Sequence, residues 1–327
     1  MPNRQQVAAF YGFATLGPLP PLQQELRQLA VEAELRGTIL LAEEGVNGTV
    51  SGPEPGVRRL LARLRTATGL PTLQVRLSWA EQPPFHRLKV RIKREIVSLG
   101  CPMVRPAERV GTYVEPQAWD ALVDAADTLL IDTRNAYEVA IGSFPGAIHP
   151  DSASFREFPG WVEQQLRPLV QQRRPRAIAL FCTGGIRCEK ATSYLLQQGF
   201  SGVHHLRGGI LRYLEDIPAA QSRWRGECFV FDQRVALTHG LEPGSHSLCH
   251  ACGLPLSPRD RQRPAYREGV SCHHCLDRFS AADRERFLER QRQMGLSRHR
   301  GEPHLGAVMA AQPEPAVEPE PEPGDAG

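Results

Sequence analysis

The stretch Ala177-Ile-Ala-Leu-Phe-Cys-Thr-Gly-Gly-Ile-Arg-Cys-Glu-Lys190 decides the fold, because an apolar strand runs through a cysteine loop into the helical pattern of 191–198. The glycines let backbone N–H groups turn towards one point, and the helix N-terminus adds partial positive charge. Arg187 adds a full charge, and all three effects favour the thiolate of Cys182. We therefore predict that Cys182 and Arg187 are catalytic. The alternative is that Cys182 is a small buried residue at a strand end.

The remaining loop residues form the predicted anion cradle around this sulfur: Thr183, Gly184, Gly185 and Ile186. Cys188 follows in the first helical turn. It either packs under the loop, which we favour, or resolves an oxidised Cys182.

Residues 113–220 around the loop alternate strand and helix patterns, which predicts an α/β domain with a parallel sheet. Ligands collect at the carboxyl ends of such strands. Cys182 lies at one predicted strand end, and Asp132 and Arg134 lie at another. Because buried charges near strand ends usually pair, we interpret Asp132, Arg134 and Glu138 as orienting neighbouring loops first and contacting substrate second.

Residues 1–100 have a different organisation. Strand patterns occupy 7–13, 38–42, 49–51, 73–79 and 88–97, and helical patterns occupy 22–36 and 56–67. This β-α-β-β-α-β order predicts a ferredoxin-like, or acylphosphatase-like, α+β domain. Residues 101–112, with their Pro and Gly, are predicted to link it to the next domain.

The last strand pattern alternates apolar and basic residues. The basic ones are Lys89, Arg91 and Lys93. Their face is a candidate RNA-binding surface, and a solvated edge strand with protective lysines is an equally good interpretation.

Two cysteine pairs lie in the C-terminal module, 221–300: Cys249-His-Ala-Cys252 and Cys272-His-His-Cys275, with nineteen residues between them. This spacing predicts a structural zinc site, because four thiolates leave no open coordination position. The nearby histidines 246, 250, 273 and 274 are alternative ligands, which we interpret as exposed. Cys101 and Cys228 have no motif partner and are predicted to pack.

Arginines are frequent in the same module, and three in the arm between the cysteine pairs are candidate phosphate contacts: Arg259, Arg261 and Arg263. A solvated, charged helix laced with ion pairs is the alternative for the arginines that follow.

The composition is that of a globular protein, with 41% hydrophobic and 23% charged residues among 327. No apolar run approaches the ~20 residues of a membrane helix, and the N-terminus has no signal-peptide pattern, so we expect a cytoplasmic protein without a membrane partner. Residues 301–327 are rich in Pro and Glu and are predicted to be disordered. Without 302–327 the chain has 39 basic and 30 acidic residues, a net +9 that suits a polyanionic partner.

Together these motifs resemble a known family. Asp132-Thr-Arg134 with Glu138, 142–147, Cys182-x4-Arg187 and 206–209 resemble a rhodanese domain. The loop 182–190, the segment Glu-Gly-Val-Asn-Gly-Thr at 44–49, and Phe-Val-Phe-Asp at 229–232 before the four cysteines resemble the rhodanese-like tRNA uridine hydroxylases. The resemblance covers roughly residues 5–280 in the expected order.

The resemblance implies oxygen-dependent 5-hydroxylation of uridine 34 in a tRNA anticodon, with molecular oxygen as co-substrate and Cys182 essential. We expect the two flanking domains to hold the anticodon stem-loop. The loop length argues against a phosphatase, because four residues between Cys182 and Arg187 make a smaller ring than a phosphate needs.

Two alternatives stay open at this stage: a sulfurtransferase that works through a Cys182 persulfide, and a non-catalytic RNA-binding adaptor. There is no Gly-x-Gly-x-x-Gly fingerprint for a flavin or nicotinamide. The residues alone do not decide whether Cys182 carries sulfur or attacks uracil, and they predict neither the oxygen-activating agent nor the oligomeric state.

Overall fold

The computed structural model describes residues 4–69 and 73–300. Its N-terminal part is a five-stranded sheet in the order β4-β1-β3-β2-β5. The elements are β1 (Gln5–Phe13), α1 (Leu19–Glu32), β2 (Arg36–Ala42), β3 (Gly45–Gly52), α2 (Glu54–Thr68), β4 (Gln74–Ala80) and β5 (Leu88–Ile92). The first four strands and two helices form the predicted β-α-β-β-α-β unit, and β5 adds a strand parallel to β2.

Strand alternation gives this sheet two different faces. Ala8, Phe10 and Val50 point to the helices and pack with Leu26 and Leu60 in one core. Among the described residues, no helix of the N-terminal domain packs on the opposite face. The end of β1 contacts the second domain on this face, since Tyr11 and Phe13 pack beside Ile186 of the cysteine loop.

The central part is an α/β domain, as predicted. Its parallel sheet has the order β6-β10-β9-β7. The elements are β6 (Thr112–Val114), α3 (Pro116–Val123), β7 (Thr128–Asp132), α4 (Ala136–Val139), β8 (Gly142–Ser143), α5 (Phe158–Trp161), α6 (Arg167–Arg173), β9 (Ala177–Phe181), α7 (Ile186–Gln197), β10 (Val203–Leu206) and α8 (Gly209–Asp216). A π-helical segment, Val162–Leu166, joins α5 to α6.

Alternate residues of the central strands enter two cores, one on each face of the sheet. Ile178 and Leu180 belong to one core, and Ala179 and Phe181 belong to the other. A parallel sheet buried on both faces places the ends of its strands, rather than its faces, next to ligands.

The C-terminal part is built from short pieces. They are β11 (Arg225–Gly226), which pairs with β8, the hairpins β12 (Cys228–Phe229) with β13 (Ala236–Leu237) and β14 (Ser247–Leu248) with β15 (Pro255–Leu256), and α9 (Ala281–Arg300). Three-residue 3-10 turns occur at His239–Leu241 and Asp260–Gln262.

The strand predicted over 88–97 ends at Ile92 instead. Beyond that point, side chains from β3 and from the turn before it form hydrogen bonds with the backbone. Glu44 accepts the N–H of Ile96 at 2.7 Å, and the Asn47 amide donates to the Ile96 carbonyl at 2.9 Å. The chain therefore leaves the sheet edge towards the central domain, where Leu99 and Val104 join the core.

Within residues 4–69 and 73–300, no helix is long and apolar enough to cross a membrane. The Pro/Glu-rich segment 301–327, for which we predict disorder, lies outside the described residues.

Candidate active site

Cys182 directly follows β9, where the chain turns into α7. The turn is made by Gly185, whose φ of +103° favours glycine. This conformation aims the Gly185 N–H at the Cys182 Sγ, 3.1 Å away. Cys182 itself has no solvent-exposed surface (0%), which keeps water from the sulfur. The loop thus has the anion-cradle geometry that the sequence predicts.

The loop makes Cys182 acidic. Burial by itself raises the pKa of this thiol, but hydrogen bonding by Cys188, the Arg187 charge and the N–H groups of Cys188 and Gly185 lower it to about 6. Burial and the neighbouring Cys182 raise the pKa of Cys188 well above its usual range. At neutral pH the pair therefore consists of a Cys182 thiolate and a Cys188 thiol that donates to it.

Arg187 does not act as an isolated charge. Its guanidinium makes two 2.7 Å hydrogen bonds to the Glu138 carboxylate, and one nitrogen also donates to the Thr183 hydroxyl at 3.2 Å. Burial alone would raise the pKa of Glu138, but the charges of Arg187 and then Arg134 lower it by more. The net pKa is below its usual value, so the carboxylate stays charged. Arg187 thus fastens the loop to α4 while it stabilises the sulfur anion.

Asp132 and Arg134 form a fully buried ion pair, with 2.6 Å between Nη2 and Oδ2. Arg134 also donates to the carbonyls of Gly142 and Glu138, at 2.6 and 3.3 Å. The Ser143 hydroxyl donates to Asp132. These contacts join the end of β7 to the segments around α4 and β8. The Asp132–Arg134 pair therefore fixes the positions of these neighbouring segments.

The N-terminus of α8 packs against the cysteine loop and forms hydrogen bonds with its backbone. The N–H groups of Ile210 and Leu211 donate to the carbonyls of Cys182 and Thr183, at 2.9 and 3.0 Å. Gly209 makes this approach possible, because a Cβ there would lie 2.5 Å from the Cys182 carbonyl oxygen.

The two residues after Cys188 have an interdomain role that was not predicted from sequence. Tyr11 of β1 donates a 2.7 Å hydrogen bond to Glu189. Lys190 donates to both oxygens of Glu44 at 2.8 Å and to Glu95 at 2.6 Å. The available signal was the motif 44–49, whose Glu44 supplies one of these partners.

A cavity of about 430 Å³ lies between the domains, above Cys182. The open face of the N-terminal sheet forms one wall, and the cysteine loop with Gly208 forms the floor. A third side comes from the segment 230–234, which connects β12 to β13. Such a volume suits one nucleoside-sized group.

The predicted RNA-binding residues of β5 lie on the same open face. Strand register pairs Arg76, Ala9, Thr49, Thr38 and Lys89 in one row across all five strands, so their side chains share this face. All five are partly exposed. The first three also line the cavity, so the row runs from the cavity to β5, the strand with the basic residues at the edge of the sheet.

Arg91 is exposed on this edge, and Lys93 continues it beyond β5. Neither these two nor Lys89 has an ion-pair partner among residues 4–69 and 73–300, whereas Arg263 of the C-terminal module pairs with Asp260 at 3.1 Å. Arg259 and Arg261 are exposed.

The four C-terminal cysteines come together, with ligand atoms all within 4.8 Å of one another. Individual sulfur pairs are 3.6, 3.7 and 3.9 Å apart. A tetrahedral zinc with its usual bond length would hold its sulfurs about 3.8 Å apart. The cluster can therefore bind a metal ion. His246 points elsewhere, since its Nδ1 contacts Glu227 at 2.7 Å.

Two family models match this chain: the UPF0176 acylphosphatase-like domain over residues 5–96 and the rhodanese-like domain over 115–216. Relatives of known name match nearly all of it. A Synechococcus sp. (strain CC9605) protein named tRNA uridine(34) hydroxylase is 59% identical, covering 89% of this chain and 91% of its own.

Two proteins of the same name show how widely the similarity extends. That of Prochlorococcus marinus (strain MIT 9313) is 56% identical over 88% of this chain and 94% of its own. That of Mesorhizobium japonicum is 50% identical over 92% of this chain and 97% of its own. Because identity this high runs through all three parts of the fold, the chain belongs to the tRNA uridine(34) hydroxylase family.

Proposed function

We propose that this protein hydroxylates C5 of uridine 34 in the anticodon of tRNA, with Cys182 as the attacking thiolate. The observation that carries the proposal is the position of a thiol with a pKa of about 6 on the floor of a 430 Å³ interdomain cavity. The names of the relatives supply the reaction and the substrate. A tRNA substrate would place the protein in the cytoplasm.

The proposed chemistry begins with addition of the Cys182 thiolate to C6 of uracil. The C5–C6 π electrons move towards C5 and the O4 carbonyl, which makes C5 nucleophilic. C5 then bonds to an oxygen atom, after which loss of the C5 proton and of the thiolate restores the double bond. Cys182 is released unchanged.

Molecular oxygen is the proposed source of the new atom. One oxygen atom enters C5, and the other leaves as water after taking up two electrons and two protons from an external reductant. Because Cys182 has no exposed surface, the entering base must displace its immediate neighbours, and the reaction then proceeds away from bulk water.

The open sheet face is the proposed path of the RNA. The row from Arg76 to Lys89 leads out of the cavity to cations without ion-pair partners among the described residues, where phosphates can bind. Arg259 and Arg261 offer further phosphate contacts on the C-terminal module.

The four-cysteine cluster is proposed to hold a structural zinc. The fit rests on its sulfur spacing, and the ligands would be Cys249, Cys252, Cys272 and Cys275. A zinc with four thiolates has no open position, so it would stabilise the fold of the module and take no part in the hydroxylation.

Nucleoside mass spectrometry of tRNA tests the function directly. A strain that lacks the gene is complemented with the wild type, with Cys182→Ser or with the matched control Cys101→Ser, and is grown under ¹⁸O₂. We expect ¹⁸O-labelled 5-hydroxyuridine with the wild type and the control, and none with Cys182→Ser. 5-Hydroxyuridine in the Cys182→Ser strain would contradict the thiolate mechanism, unlabelled product would contradict the oxygen source, and loss of thiolated nucleosides instead would indicate sulfur transfer.

A further inference from the structure

Phe231 is a large apolar side chain left open to solvent at the active-site cavity. The residue is 65% exposed, and it lines the cavity. Most phenylalanines of this chain are buried, including Phe229 two residues before it. Aromatic side chains commonly line ligand cavities, so this ring is placed to contact a bound ligand.

The segment that carries Phe231 is held in place on both sides of it. The Val230 N–H donates to the Val235 carbonyl at 2.9 Å, which closes the turn. Arg234 pairs with Asp232 at 2.6 Å and donates to Ser78 of β4 at 2.7 Å. Val230 also belongs to a core of the central domain, so the turn is fixed to both the central and the N-terminal domain.

The turn also adopts an unfavourable backbone conformation. Val235 has φ +64°, a region that a β-branched residue rarely enters, and its side chain is buried. Such conformations persist where surrounding contacts enforce them, and they concentrate at ligand-binding segments.

One edge contact orients the ring. Phe229 lies 5.1 Å from Phe231 at 84°, and Tyr137 packs on Phe229 at 5.3 Å. Phe229 thus supports the ring of Phe231, and Tyr137 in turn supports Phe229.

We propose that Phe231 stacks against a nucleobase next to the one that enters the cavity. This inference rests on the proposed function, because it takes the ligand to be a polynucleotide. The cavity holds about one nucleoside, so the chain must continue through the mouth, where its next base meets the ring. Base–aromatic stacking is the usual way in which proteins hold unpaired nucleotides.

Stacking explains this site better than charge does. The three arginines that line the cavity are all paired: Arg76 with Glu215, Arg187 with Glu138 and Arg234 with Asp232. The local charge is therefore nearly balanced. Affinity lost with Phe231 should not change with salt, unlike affinity lost with an unpaired cation such as Lys89.

The test measures binding of fluorescently labelled anticodon stem-loops to the full-length protein by anisotropy. The RNAs carry all bases, or an abasic sugar immediately before or after uridine 34. The variants are Phe231→Ala, Phe231→Tyr and the control Met103→Ala, which removes a side chain of a residue that is 76% exposed and does not line the cavity.

We expect one of the two abasic sites to weaken wild-type binding roughly tenfold, as for a lost stacking contact. Phe231→Ala should weaken binding of the intact stem-loop by a similar factor. The affinity of this variant should not fall further when the stem-loop carries that abasic site. Phe231→Tyr and Met103→Ala should bind like the wild type.

The proposal is overturned if Phe231→Ala binds the intact stem-loop as tightly as the wild type, or if it loses as much affinity at each abasic site as the wild type does. Failure of the proposed function gives a different result, since the wild type would then bind no stem-loop more tightly than a scrambled RNA. That result would overturn both proposals.

Discussion

The hydroxyl of Tyr11 donates a 2.7 Å hydrogen bond to the carboxylate of Glu189, and the two residues belong to different domains. Tyr11 lies near the C-terminal end of β1, and Glu189 lies in the first turn of α7, seven residues after Cys182. Tyr11 also packs against the cysteine loop, since its hydroxyl would be 2.6 Å from a Cβ at Gly185. The N-terminal sheet is therefore in direct contact with the sulfur cradle.

Replacing Tyr11 with Phe should weaken this connection without removing the ring. It leaves a buried carboxyl short of one donor, which costs about 1–3 kcal/mol of unfolding free energy. Hydroxylation should also slow, because the hydrogen bond that holds the N-terminal sheet against the cysteine loop is lost. Urea unfolding and 5-hydroxyuridine formation measure the two effects. Tyr137→Phe, which removes a hydroxyl without an interdomain bond, should leave both nearly unchanged, and equal effects of the two variants would contradict the idea.

Lys190 is the second connection between the domains, and its removal should cost more. The side chain is 1% exposed and donates to Glu44, Glu95 and the Val97 carbonyl. Lys190→Met would leave two carboxylates facing each other without a cation, with an expected loss of roughly 3 kcal/mol in urea unfolding. Glu44→Gln combined with Lys190→Met should recover part of it. A loss no larger than that of Lys89→Ala would show that the contact carries little energy.

The titration of Cys182 should occur near pH 6. A pKa lowered from its ordinary value of about 9 means that the thiolate fraction rises as pH passes 6 and is nearly complete at pH 7. The difference in ultraviolet thiolate absorbance between the wild type and Cys182→Ala should show this midpoint.

Cys188 provides the control for that midpoint, because its thiol is one of the groups that lower the pKa of Cys182. Cys188→Ala should move the midpoint upward, while Cys188→Ser keeps a donor and should move it less. A wild-type midpoint near 9, or no change in Cys188→Ala, would rule out the proposed cradle.

The local features of this molecule were predictable from sequence. The strand, cysteine loop and helix of 177–198 form as expected, because each is determined by residues next to one another in the chain. The two cysteine pairs also reveal themselves by their spacing, and the structure brings all four sulfurs together.

The long-range partners were not predictable. Nothing near Arg187 in the chain shows that Glu138, 49 residues away, balances its charge. Glu189 and Lys190 look like ordinary helix residues until β1 and the turn before β3 are placed against them, 178 and 146 residues away. The end of β5 at Ile92 has the same origin, since Glu44 and Asn47 bind the backbone of Ile96 beyond it.

Zinc removal should unfold the C-terminal module selectively. The purified protein should contain about one zinc ion per chain, and Cys272→Ser should lose it, because three thiolates bind the ion less tightly. Metal analysis measures the content, and limited proteolysis should then cut within 249–300 while the sheets of the other two domains stay protected. Cys101→Ser is the matched control. Full zinc content in Cys272→Ser would exclude this cysteine as a ligand.

Gly209 offers the sharpest test of the packing behind the cysteine loop. Its φ is +65°, and an added Cβ would lie 2.5 and 2.6 Å from the carbonyl oxygens of Cys182 and Thr183. Gly146 has φ +79° with open space around its Cβ position, so Gly146→Ala has the same backbone strain without the clash. We expect Gly146→Ala to cost about 1 kcal/mol of stability and to retain activity. Gly209→Ala should destabilise more and abolish hydroxylation, because the loop must move off the α8 N-terminus. If both variants kept full activity, the position of the Cys182 loop would not depend on α8.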